Sequence, residues 1–268
     1  MAVVRALSRD KKIRVYYADI SDAVDEISRI HSFNEYNKRF FSEAALGTVL
    51  LSFDIKDENT VFSSVLKCSE PFNNTVVVKD SLDSIKGYSS ALIESYYDFK
   101  KDIKNNAVFS AIIDTGTKYP YVTEIPVCED SMEACIADYF EQSQQQKSIV
   151  RMDSMSARGI VLCPVLNSEF KYIEAQRETL SIMLDGIMNA ASIYDVKSIL
   201  SNTDFDITEE YEIKAQCTCT SEKMESVIVS LGKKEATEIV AEMGALEIVC
   251  PYCLKKYKFD AAAIEALF

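Results

Sequence analysis

Four of the chain's eight cysteines crowd into two short segments near its end, CTCTSEKMES and EIVCPYCLKK. Cys217 and Cys219 form a Cys-x-Cys pair; Cys250 and Cys253 form a Cys-x-x-Cys pair thirty residues further on. Four thiolates at such spacings suit zinc, a borderline-soft ion that favours a tetrahedron and accepts all-sulfur ligation. A bare CxxC is a weak signal, but two pairs joined by a helix and a hairpin are a strong one. The spacing therefore predicts one zinc ion held by Cys217, Cys219, Cys250 and Cys253.

Such a centre has three chemical uses: a permanent clamp, a redox catalyst, or a switch that a signal opens. Catalytic CxxC motifs follow a strand and open a helix, whose dipole lowers the first thiol's pKa. CPYC instead lies between a strand and KKYKF, as in a hairpin, which argues against thiol catalysis. A structural ribbon remains open, and so does a switch. Zinc holds the sulfurs as thiolates, the form that oxidants attack, and oxidation to disulfides removes the ligands. A module this small has little core of its own, so losing the metal should unfold it.

Elsewhere the chain offers little reactive material. Cys68, Cys128, Cys135 and Cys163 are scattered singly. Cys135 in MEACIADYF and Cys163 in GIVLCPVL read as small buried hydrophobes on a helix face and in a strand. The lone histidine, His31, ends a helix with no catalytic partner nearby and reads as a packing or helix-end residue. No P-loop, GxGxxG, HExxH or GxSxG pattern occurs. The chain is not read as an enzyme.

The elements that must position the cysteines follow from periodicity. KKIRVYYADI reads as a first strand. SDAVDEISRIHSF reads as a helix capped by Ser21, with Ala23, Val24, Ile27 and Ile30 on one stripe. EYNKRFFSEAALGTVLLSF is apolar enough for a helix inside the fold. From Asn59 to Pro126, TVFSSVLK, NTVVVKD, GYSSALIES, NAVFSAIID and YVTEIPV succeed one another with polar turns, as an antiparallel sheet requires. A helix (SMEACIADYFEQSQQQ) and a strand pair (SIVRMDS, GIVLCPVL) come next. A helical region from about Glu169 to Leu200 follows, with Ile173, Leu180, Ile182, Met183, Leu184, Ile187 and Met188 needing cover. SNTDFDITEEYE is acidic and turn-prone, and reads as a boundary. After it come a strand, YEIKAQ, then the first cysteine pair, a helix, a hairpin holding the second pair, and a terminal helix.

At 268 residues, 48% hydrophobic and 26% charged, the chain has the makings of a globular fold with a real core. Its net charge of −13 disfavours nucleic acid and anionic membranes as partners. No run of 18 apolar residues is present, which excludes a spanning helix. Charges in MAVVRALSRDKKIRV stand where a secretory signal would be apolar, so a cytoplasmic protein is expected.

The segment from Cys217 to Asp260 resembles the zinc module of the heat-shock protein 33 family, the redox-regulated chaperonins. That pattern has CxC, a helix ending in a Leu-Gly turn, a second helix with paired acids, then CxxC and Tyr-x-Phe. Cys217, Cys219, Leu231, Gly232, Glu238, Ile239, Cys250, Cys253, Tyr257 and Phe259 match it. Upstream, IRVYYADISDAVDEISRIH and ACIADYFEQS are similar to the family more loosely. Departures are KCSEPF, which keeps Pro71 of a Gly-x-Gly-Pro turn without its glycines, and ARGIVL, which keeps only Gly159 of a Gly-Gly pair. With seven glycines in all, several turns must be built from other residues.

The resemblance implies an ATP-independent holdase that is inactive when reduced and zinc-loaded. Oxidants, often with heat, would form Cys217–Cys219 and Cys250–Cys253 disulfides and release zinc. Unfolding client proteins would then bind to the uncovered apolar surface, with the active form a homodimer. It also implies the organisation: an α+β fold with an antiparallel-sheet core and packed helices over 1–170, a helical linker over 171–210, and a small zinc-binding module over 211–268. The competing expectation is a zinc-stabilised interaction module without redox switching.

Overall fold

A computed structural model describes residues 2–55, 60–80, 83–166 and 170–268. Asn59 and Glu169, where the sheet and helical regions begin in the sequence reading, lie outside the described residues. The chain divides into two compact units, Met1–Ala215 and Gln216–Phe268.

The first unit opens with β1 (Ala2–Ser8), a strand ahead of the one read from KKIRVYYADI, which is β2 (Ile13–Asp19). Helices α1 (Ser21–His31) and α2 (Glu35–Leu51) follow. Ser21 is not the cap of α1: it is the first helical residue, and the Asp19 carboxylate accepts from its amide at 3.1 Å. β3 (Val61–Cys68), β4 (Asn74–Lys79), β6 (Ala107–Asp114) and β7 (Tyr121–Pro126) are strands expected from the sequence, whereas β5 (Ser84–Ser89) starts and ends before the expected GYSSALIES and shares only its first three residues. After them come α3 (Met132–Ser143), β8 (Ile149–Asp153) and β9 (Arg158–Pro164). The helical stretch is three pieces, α4 (Phe170–Ala175), α5 (Arg177–Met188) and α6 (Ile193–Asn202).

The acidic segment read as a boundary is in fact a strand, β10 (Phe205–Tyr211), laddered antiparallel to β1. Phe205, Ile207 and Tyr211 turn toward the protein while Asp206 and Glu210 point to water, so the acids hide a half-buried alternation. The expected YEIKAQ strand shrinks to β11 (Lys214–Ala215), which pairs parallel with β5.

Two sheets result, ordered β10-β1-β2-β9-β8 and β11-β5-β4-β3-β6-β7. Apart from the β11–β5 pair, every ladder is antiparallel. The fold is therefore α+β. Helix α2 lies against strands of both sheets, and every residue from Phe40 to Leu51 is buried. A helix that is apolar around its girth has to be interior, which is why its sequence shows no polar face. Close approach is built in at Gly87, where a Cβ would come within 2.6 Å of the Val76 carbonyl and 2.8 Å of the Phe41 ring.

The opposite face of the first sheet, carrying Val4, Ala6, Val15, Tyr17, Ile160 and Leu162, is covered by α4–α6 through Ile173, Leu180, Met183, Leu184, Ile187, Val196 and Leu200. The scarcity of glycine is met by other residues at positive φ, among them Asn73 (47°), Asn105 (65°) and Asp204 (64°). Asn and Asp tolerate this region better than most side chains. Asn73 does so at the KCSEPF turn that lacks the family's glycines. His31 stacks on Phe33 at 5.4 Å, and Cys135 and Cys163 are buried, as read from sequence.

The C-terminal unit comprises α7 (Ser221–Leu231), α8 (Lys233–Met243), the hairpin β12 (Leu246–Val249) with β13 (Lys256–Phe259), and α9 (Ala261–Leu267). Gly232, with φ of 99°, breaks what apolar periodicity alone reads as one helix into two. This is the Leu-Gly turn of the family pattern.

Candidate metal centre

Each cysteine pair is placed by a different local device. Cys217 and Cys219 precede α7, whose Thr220 cap accepts from the Lys223 amide. The Lys223 ammonium donates back to the Thr218 carbonyl at 2.8 Å, pinning the CTC segment to the first turn of the helix. Cys250 and Cys253 sit in the tight turn between β12 and β13. There the Leu254 amide donates to the Cys250 carbonyl and the Cys250 amide to the Lys255 carbonyl, both at 2.9 Å. Leu254 takes a φ of 59° to close that turn.

These two segments bring all four Sγ atoms within 4.8 Å of one another. The short separations run between the pairs, Cys217 to Cys250 at 3.7 Å and Cys219 to Cys253 at 3.4 Å. A zinc ion at about 2.3 Å from each sulfur requires sulfurs roughly 3.8 Å apart, so the cluster fits a tetrahedral four-sulfur site with little adjustment. Among the described residues it contains no carboxylate and no imidazole, a donor set suited to a soft or borderline ion rather than to calcium or magnesium.

The thiols polarise one another. Burial opposes ionisation of Cys219, yet hydrogen bonds from Tyr257 and from Cys253, Cys217 and Cys250 outweigh it and draw the thiol down to about 7. Burial pushes the Cys217 thiol up and acts on Cys253 in the same direction. The single Tyr257 hydroxyl proton is shared between two acceptors on Cys219, its carbonyl oxygen at 3.0 Å and its Sγ at 3.1 Å. Tyr257 appears in the sequence only as part of the Tyr-x-Phe pattern. Its place beside Cys219 depends on the β12–β13 register, in which it opposes Ile248.

Around the sulfurs the unit has a small interior: Ile228, Ala236, Val240, Leu246, Tyr257, Phe259 and Ile264, with Cys250 itself 1% exposed. Two of its lysines are met by acids, Lys256 by Glu247 at 3.1 Å and Lys234 by Glu238 at 3.9 Å.

A family model described as Hsp33 protein matches residues 2–260. The chain belongs to the Hsp33 family. Similar relatives include the 33 kDa chaperonin of Alkaliphilus metalliredigens, 24% identical over 99% of this chain and 97% of that protein. The 33 kDa chaperonin of Thermoanaerobacter pseudethanolicus is 25% identical over 99% of this chain and 97% of its own length. Among solved structures, the Hsp33 homologue of Thermotoga maritima superposes with a TM-score of 0.77 at 21% identity, covering 99% of this chain and 97% of that one. At that identity the likeness speaks for the fold. The Hsp33 fold thus accommodates a glycine-poor core, with the cysteine knot at its C-terminal end.

Proposed function

We propose that this chain is a cytoplasmic, redox-regulated chaperone that holds unfolding proteins without ATP. Its four-cysteine knot, in a unit with little interior of its own, carries the reading. Cys217, Cys219, Cys250 and Cys253 would bind zinc, and the ion, when bound, supplies a tetrahedral cross-link between α7's leading segment and the β12–β13 turn. At roughly 50 residues the unit is in the range where apolar burial alone is marginal, so its fold depends on that cross-link.

An oxidant such as peroxide attacks a thiolate, and a neighbouring sulfur then closes a disulfide. The likeness to the family implies that the resulting bonds are Cys217–Cys219 and Cys250–Cys253, although sulfurs across the knot are the closer ones in the folded unit.

Residues 1–170 act as the chaperone and dimerisation domain, residues 171–210 as the linker, and residues 211–268 as the switch. The linker reading draws on α4–α6, which cover Val4, Val15, Tyr17, Ile160 and Leu162 on one sheet face. If these helices lose structure, a contiguous apolar surface becomes available to the exposed segments of unfolding clients. The active form is a homodimer; nucleic acid and membranes are not partners. No described helix is long and apolar enough to cross a membrane.

The test is to treat zinc-loaded protein with hydrogen peroxide at raised temperature while following zinc release and the aggregation of a thermally unfolding client. Zinc release accompanied by suppressed aggregation is expected. Zinc release with no gain in holding would leave a zinc-stabilised interaction module and overturn the chaperone reading.

A further inference from the structure

One side chain outside the four sulfurs reaches them with a hydrogen-bond donor. Tyr257 stands on β13, four residues past Cys253, yet its hydroxyl meets Cys219 at the far side of the knot, 3.1 Å from Sγ and 3.0 Å from the carbonyl oxygen. The ring is 8% exposed and packs in the unit's interior, so the hydroxyl is held in place. The Lys255 ammonium lies 4.9 Å from the ring centroid. A cation over the ring withdraws electron density and makes the phenol a better donor. Backbone amides also donate to the knot, that of Cys219 to Cys217 and that of Lys255 to Cys253, and the sulfurs meet one another across it.

A hydrogen bond to a thiolate takes charge off the sulfur. In the first oxidation step the sulfur lone pair attacks one peroxide oxygen. The S–O bond forms as the O–O bond breaks, hydroxide leaves, and a sulfenic acid remains. A second thiolate then attacks the sulfenic sulfur, forming the S–S bond as the S–O bond breaks and a second hydroxide leaves, two thiols being oxidised for each peroxide reduced. Charge withdrawn from Cys219 slows the first step at that sulfur and leaves the step at Cys253 untouched.

We infer that Tyr257 is a positioning residue that orients Cys219 and restrains its oxidation. The inference rests on the zinc-switch reading and names the residue that sets its sensitivity. Tyr257→Phe removes the hydroxyl and keeps the ring. In the zinc-loaded full-length variant, sulfenic acid trapped at Cys219 by a 1,3-dione reagent should form about threefold to tenfold faster than in the parent. That is the factor expected for a hydrogen bond worth about 1 kcal/mol. Trapping at Cys253 should be unchanged.

Substituting cobalt for zinc gives a second readout that does not depend on oxidation. Loss of the hydrogen bond raises the sulfur donor orbital, so the sulfur-to-cobalt charge-transfer band should move to lower energy in the variant. An unshifted band with unchanged trapping at Cys219 would overturn the inference. So would an equal acceleration at Cys219 and Cys253, since that reports general loosening. If peroxide releases no zinc from the parent protein, the switch reading falls, while the cobalt band still decides the role of Tyr257.

Discussion

Between its two sheets the first unit buries α2 from Phe40 to Leu51 on every side, while the C-terminal unit closes over a handful of apolar side chains and four sulfurs. The first interior is the kind that burial alone can stabilise, because each large side chain removed from water contributes on the order of 2 kcal/mol. The second interior has too few such side chains, and its cross-link is chemical. A metal-dependent fold can be opened by changing the oxidation state of its ligands. An apolar core answers to no such signal. The contrast explains why a switch of the proposed kind would belong in the smaller unit.

The largest effect should come from breaking the knot. Cys250→Ser removes a ligand, so zinc affinity in a chelator competition should fall by well over the roughly 10–100-fold that losing an outer hydrogen bond costs. Amides of α7, α8 and α9 should lose exchange protection while those of α2 keep theirs, and partial holding activity should emerge without oxidant. Stoichiometric zinc at unchanged affinity would break the four-sulfur assignment.

The converse test is Leu46→Ala in α2, where the side chain is fully buried. Urea unfolding of the first unit should shift by about 2–5 kcal/mol, with zinc affinity unchanged. A drop in zinc affinity of similar size would mean that the two interiors are not independent in the way the comparison requires.

The first unit also contains a buried acid. Burial pushes the Glu43 carboxyl up to about 7, against the opposing pull of Tyr97, Arg39 and Ser154. In the unfolded chain it ionises near its ordinary 4.5. Between these values the folded state holds a proton that the unfolded state has lost, so stability falls as pH rises across that window. The loss is complete above about 7 and amounts to roughly 3 kcal/mol. Urea midpoints should be lower at pH 8 than at pH 5, and Glu43→Gln should flatten the difference. Metal dependence of the C-terminal unit should follow a different pH course, set by proton competition at the thiols.

A smaller effect is expected at the α7 cap. Thr220→Ala loses the bond to the Lys223 amide, and the zinc-loaded C-terminal unit should be destabilised by about 1 kcal/mol, read as faster amide exchange in the first turn of α7.

Much of this molecule is legible where one physical rule acts alone. The burial of β3 and β4 alternates because one face packs and the other is wetter, and α2 reads as internal because its second half, Phe40–Leu51, has no polar face. The cysteine knot is legible because few chemistries other than metal binding place two cysteine pairs so close. Legibility fails where two rules compete. β1 is buried on both faces, so it lacks alternation, and Arg5 in its middle disguises it. In β10 the acids on the wet face outweigh Phe205 and Ile207 to the eye, although the period of two is present. The bond from Tyr257 to Cys219 depends on hairpin register and side-chain direction across 38 residues, which no local pattern encodes.

Hydrogen exchange on zinc-loaded reduced protein, compared with the same protein after peroxide at raised temperature, tests the central claim most directly. The account predicts that amides of α7–α9 and α4–α6 lose protection together, while β1, β2, β9 and α2 retain theirs. Protection lost in α7–α9 but kept in α4–α6 would contradict it, because the sheet face carrying Val4, Val15 and Ile160 would then stay covered.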